Sequence, residues 1–154
     1  MKWKEPEFES DDEVLDLAIA REVEAHKFFL IMAARAATPE MRKVFEELAR
    51  MELEHKAKLE LEMMKAGRVV KEDEKFELES EDYEQTEIPK LDMDYKQMLL
   101  LGVQKEDASF RLYVTMAGKA KDEESFETLL ALAEEELRHK LLFEREYENL
   151  LKTS

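Results

Sequence analysis

Cysteine is absent from this sequence, glycine and proline occur three times each, and tryptophan once. Without cysteine there is no disulfide, no thiolate-bound metal and no cysteine nucleophile, an absence compatible with a reducing compartment. The few helix breakers are well placed. Pro6, Pro39 and Pro89 fall at or beyond plausible element ends and leave long uninterrupted segments. No apolar run is long enough to span a bilayer, and Met1 to Pro6 lacks the apolar core of a signal peptide. Basic charge is also scarce: 24 Lys and Arg against 39 Asp and Glu give a formal charge of −15. Such a surface repels phosphate backbones and anionic lipid, so neither nucleic acid nor a membrane is an expected partner. A soluble, cytoplasmic protein is expected.

What remains is a mixture rich in Leu, Ala, Met, Glu and Lys, 41% charged and 44% hydrophobic, which favours long amphipathic helices and an all-α class. Its 154 residues suit one domain, 1–154, with a real core. Ser10 with Glu13 reads as a capping box, followed by the helical stripe Leu15, Ala18, Ile19, Glu22, Ala25, Phe29, Met32. Thr38-Pro39-Glu40 starts a second helix that Gly67 stops. Asp92 or Asp94 can cap a third helix and Asp122 a fourth. Hairpins over about 11–66 and 92–151 follow, joined by a crossover over about 68–91 that is longer than most loops. A four-helix bundle with one long crossover is the predicted architecture.

The two hairpins repeat one another. A shift of 84 residues, without a gap, places Leu15 on Leu99, Glu22 on Glu106, Met32 on Met116, Leu48-Ala49 on Leu132-Ala133, Glu52 on Glu136 and His55 on His139. A pseudo-two-fold axis is implied, and any site on it is doubled.

Glu52-Leu53-Glu54-His55 and Glu136-Leu137-Arg138-His139 both contain Glu-x-x-His, whose three-residue spacing puts carboxylate and imidazole on one helix face. Each tetrad continues an apolar line: Phe45, Leu48, Glu52, His55, Leu59 in one, and Leu129, Leu132, Glu136, His139, Phe143 in the other. Glu22 and Glu106 each precede their matching glutamate by 30 residues and each interrupt an apolar stripe. Four carboxylates in one core repel each other and take up protons unless cations lie between them. Two divalent ions balance them, with neutral imidazoles completing the shells. Oxygen and nitrogen donors without sulfur suit iron or manganese, with zinc as an alternative.

One Glu from each of two helices, plus Glu-x-x-His from each of the other two, is the ferritin-like di-metal pattern. Over residues 11–151 the chain resembles the rubrerythrin branch of that superfamily, and Ala20-Arg21-Glu22-Val23-Glu24-Ala25 is similar to that branch's first ligand helix. The resemblance implies that Glu22, Glu52, His55, Glu106, Glu136 and His139 hold two iron ions, with Glu52 and Glu136 bridging and Glu22 and Glu106 terminal. It implies oxidation of Fe(II) with reduction of dioxygen or peroxide, an external electron-donor protein, and a homo-oligomer, a dimer first. The sequence departs from the branch in two respects. It has no cysteine-ligated rubredoxin domain, and Ser109, with the nearby Asp107 out of phase, stands where many members carry a further glutamate.

His26, four residues after Glu22, reads as a packed histidine in preference to a ligand, since its repeat partner is Phe110. Tyr113 lies two turns past Glu106, as core packing or as a hydrogen-bond donor near the metals. Trp3 is a candidate for covering the bundle end or an oligomer contact. Two alternatives stand beside the redox enzyme: iron storage, and a non-enzymatic bundle stabilised by its metals.

Overall fold

A computed structural model describes residues 10–65, 67 and 94–153. Four helices make it up: α1 (Asp11–Ala34), α2 (Pro39–Lys65), α3 (Tyr95–Lys119) and α4 (Glu123–Thr153), with no strand among the described residues. The helix ends follow local chemistry. Thr38 Oγ1 accepts from the Met41 amide at 3.2 Å, one residue ahead of Pro39. Asp94 accepts from the Gln97 amide at 2.8 Å while the Gln97 side chain accepts from the Asp94 amide at 2.9 Å, a full capping box. Gly67, at φ 74°, takes the left-handed conformation that ends α2. The α1 end differs from expectation: Ser10 is the N-cap residue, but its side chain makes no capping bond. The neighbouring Asp11 is buried instead, and its carboxylate accepts from the Lys121 and Asp122 amides at 2.9 and 2.8 Å. It ties the start of α1 to the α3–α4 turn.

The α1–α2 and α3–α4 hairpins are tightly packed, and they meet through α1 against α3 and α2 against α4. Cross-links set the directions. Asp11 meets residues 121 and 122 while Tyr113 meets Ala18, so α1 and α3 run antiparallel. Thr128 meets Glu62 at 3.3 Å while His55 meets Glu136, so α2 and α4 are antiparallel as well. The C-terminus of α2 and the N-terminus of α3 therefore lie at opposite ends of the bundle, about 37 Å apart for a 25-residue helix. That separation is what makes the connection a crossover; residues 68–93, like Trp3, lie outside the described residues.

Two apolar clusters fill the bundle on either side of its middle. One holds Val14, Leu15, Leu59, Met63, Leu112, Met116, Leu129 and Leu132; the other holds Phe29, Met32, Phe45, Leu48, Met98, Leu99 and Phe143. Every helix passes from one cluster to the other, and the residues between are the acidic and imidazole ones. Among the described residues no helix is long and apolar enough to cross a membrane.

Candidate metal centre

Each helix brings its polar residues to the bundle axis at the point where its apolar stripe changes cluster. Glu22, Glu52, Glu106 and Glu136 are at most 1% exposed, and His55 and His139 are 3% and 6% exposed. The structure brings all six together in two overlapping groups. Glu22, Glu52, His55 and Glu136 form one, and Glu52, Glu106, Glu136 and His139 the other; within each, the donor atoms lie within 4.8 Å of one another. Glu52 and Glu136 belong to both.

The geometry follows the repeat. His55 Nδ1 lies 3.6 Å from Glu22, 3.6 Å from Glu52 and 3.0 Å from Glu136. His139 Nδ1 lies 3.6 Å from Glu106 and 3.7 Å from Glu52. The two imidazoles are nearly parallel, with centroids 5.8 Å apart.

Electrostatics supply the test of what this cluster is for. Burial, with the charge of Glu52 added, pushes Glu22 well above the usual carboxylate range, and burial with Glu136 does the same to Glu106. Glu52 is also penalised by burial, yet the neighbouring Glu22, His139 and His55 side chains hold it well below that range. Burial opposes charge on His55, but the carboxylates of Glu136, Glu22 and Glu52 around it outweigh burial and raise its proton affinity. Both carboxylate oxygens of Glu52, Glu106 and Glu136, Oε2 of Glu22 and Nδ1 of both histidines have no hydrogen-bond partner. Native interiors leave few such atoms. Nine in one place, all lone-pair donors, fit a pair of divalent cations.

The surroundings are less symmetric than the six. The Tyr113 hydroxyl donates to Glu22 and contacts the Ala18 carbonyl at 3.4 Å. His55 Nε2 meets Glu135 at 2.9 Å, and Glu135 also meets Lys58 at 3.4 Å. By the 84-residue shift, the equivalents of Tyr113 and Glu135 are Phe29 and Met51, neither of which offers such a bond. The Glu22–His55 half thus has polar support that the repeat does not reproduce beside Glu106 and His139. Sequence reading did not single out Glu135; its signal was its place next to Glu136 on a helix that faces α2. Arg21 and Lys105, the residues before Glu22 and Glu106, were also passed over, although both are buried.

The remaining candidates lie elsewhere. His26 Nδ1 donates to the Ala49 carbonyl at 2.9 Å and fastens α1 to α2. Ser109 donates to the Lys105 carbonyl of its own helix, and Asp107 turns outward to Lys140 and Arg111, both at 3.0 Å. Neither supplies a seventh donor. A third acidic group, Glu62, Asp122 and Glu124, is largely exposed and holds no histidine.

Comparison with known proteins agrees with this geometry. A family model described as Rubrerythrin matches residues 13–147. No curated protein matches the chain, and no solved structure does.

Proposed function

The chain belongs to the rubrerythrin family, and from that premise we propose that it is a di-iron protein that oxidises Fe(II) while reducing dioxygen or peroxide. Glu22 and His55 would hold one ion and Glu106 and His139 the other, while Glu52 and Glu136, which belong to both groups, would serve both. The observation that carries this is the pair of overlapping buried groups with their nine unpartnered donor atoms. Iron bound there supplies one electron per ion on passing from ferrous to ferric, enough to reduce one peroxide to two waters with two protons. The protein's own residues position and enclose. Tyr113 fixes one Glu22 oxygen by its hydroxyl, leaving the other free to face an ion. Glu135 holds the His55 ring through Nε2, which leaves Nδ1 as the donor and increases its basicity. The apolar clusters on both sides keep bulk water away from the site.

The 154 residues contain no cysteine, so electrons return to the site from outside them, and a separate donor protein is part of the proposal. A homodimer is as well, supported by Leu61, Leu141 and Leu142, each more than half exposed, and so is a cytoplasmic setting.

Anaerobic loading of metal-free protein with ferrous iron, followed by rapid mixing with dioxygen or peroxide, tests this reading. Two ions per chain that turn ferric with either oxidant are expected. Two ions that stay ferrous with both contradict the redox role and leave a metal-stabilised bundle. Uptake of many ions per chain points to storage.

A further inference from the structure

One residue before Glu22, Arg21 is 1% exposed and stands among the largest fully buried side chains. Neither its Nε nor its Nη1 has a hydrogen-bond partner. A guanidinium taken out of water in this way needs compensating charge. Its repeat equivalent, Lys105, is 3% exposed and finds that charge close by: the ammonium pairs with Glu24 and lies 5.3 Å from the Phe28 ring centroid. The same symmetry offers Arg21 only Ala108 and Leu112 in place of Glu24 and Phe28.

Arg21 is buried in the same bundle interior as the carboxylate cluster and stands one residue before Glu22. Burial opposes its charge most, but Glu136, Glu22, Glu24 and Glu52 together outweigh burial and strengthen its hold on its proton. Arg21 in turn opposes the upward push on Glu106. Its field therefore reaches all four glutamates of the site, while Glu24 is already paired with Lys105.

We propose that Arg21 is a permanent internal counter-cation of the carboxylate cluster, steadying the metal-free bundle and weakening its grip on divalent ions. The second half rests on the two-metal reading above; the first does not. Without metal, the guanidinium offsets the charge of those carboxylates in the cluster that stay ionised. With two divalent ions present, four carboxylates are already balanced, and Arg21 leaves the interior one unit positive. Each ion then binds against that charge. Such an arrangement makes a site that is preformed when empty and holds its metals less tightly than its donor set alone allows.

Two variants separate charge from packing: Arg21→Met, of similar length and neutral, and Arg21→Lys, which keeps the charge. Thermal melts of the metal-free proteins and Mn(II) titration by calorimetry read the two halves. Arg21→Met is expected to melt lower than wild type without metal, because removing one partner strands buried carboxylates. It is expected to bind Mn(II) about tenfold more tightly or better, since a like charge has gone from a low-dielectric site. Arg21→Lys stays near wild type in both. A packing role moves the two variants together, or loosens Mn(II) binding in Arg21→Met, and either result overturns the proposal. So does an Arg21→Met chain that fails to fold with Mn(II) as well as without it. Fewer than two Mn(II) per wild-type chain overturns the two-metal reading, and the metal-free melts still decide whether Arg21 is the counter-cation.

Discussion

Glu135 reaches His55 across the α2–α4 interface, whereas the equivalent position beside His139 is Met51. A carboxylate behind an imidazole orients the ring and raises its basicity, and its loss costs about 10–100-fold in metal affinity. Glu135→Ala is therefore expected to weaken one of the two bound ions by about that factor, seen as a split titration curve, whereas Met51→Ala leaves both affinities in place. Protons give a second expectation. Glu22 and Glu106 keep theirs above the ordinary 4.5 in the metal-free fold. Their stabilisation is present below that pH and is lost as pH rises through the raised values. His55, raised from 6.5, acts in the same sense higher up the scale. The lowered pKa of Glu52 opposes them only below 4.5, where its contribution fades as pH falls. Metal-free protein should thus melt lower at about pH 8 than at about pH 5, and Mn(II) should remove that decline because ions displace these protons. A metal-free Tm that rises over this interval contradicts the assignment. The sequence made the six residues legible, because spacing of three on a helix and interruption of an apolar stripe are local. Tyr113's bond to Glu22 and Glu135's bond to His55 were not, because each depends on which turn of another helix comes alongside.

Along α3, Gly102 makes room for a ring. A Cβ there would meet Phe143 Cζ at 2.8 Å and Cε2 at 2.9 Å, and that ring is stacked against Phe29 and Phe45. The other half solves the same space with Ala18 and Leu59, both in its apolar cluster. The division of the space differs across the repeat: glycine with a phenyl ring here, alanine with leucine there. Gly102→Ala is expected to destabilise by about 1–2 kcal/mol, overpacking partly offset by better helix propensity. Adding Phe143→Leu should recover much of that loss, and urea unfolding of the double-mutant cycle checks the coupling. Additive losses contradict it. Helix ends were readable wherever the partner is local, as at Thr38, Asp94 and Gly67. Ser10 misled because the acid next to it is engaged with the α3–α4 turn, 110 residues away, and no local pattern announces such a tie.

For the molecule as a whole, the 84-residue repeat becomes two antiparallel hairpins packed α1 on α3 and α2 on α4, with the carboxylates midway between two apolar clusters. Opposite chain directions in the facing helices bring equivalent residues to one level only near the middle, which is why the doubled ligand sets overlap there. The repeat and the length of residues 68–91 were enough to anticipate this topology. They could not show the asymmetry of the two halves, which comes from positions where the repeat has diverged. The symmetry also sets what mutation should do. Glu22 and Glu106 each belong to one group, so Glu106→Gln should leave one well-bound ion, whereas Glu136, shared by both groups, should carry both ions away when changed to Ala. The most direct measurement is an anaerobic count of metal per chain in wild type, Glu106→Gln and Glu136→Ala after Fe(II) loading and desalting. Values near two, one and zero are expected; two ions retained by Glu136→Ala, or fewer than two in wild type, contradict a shared two-metal centre.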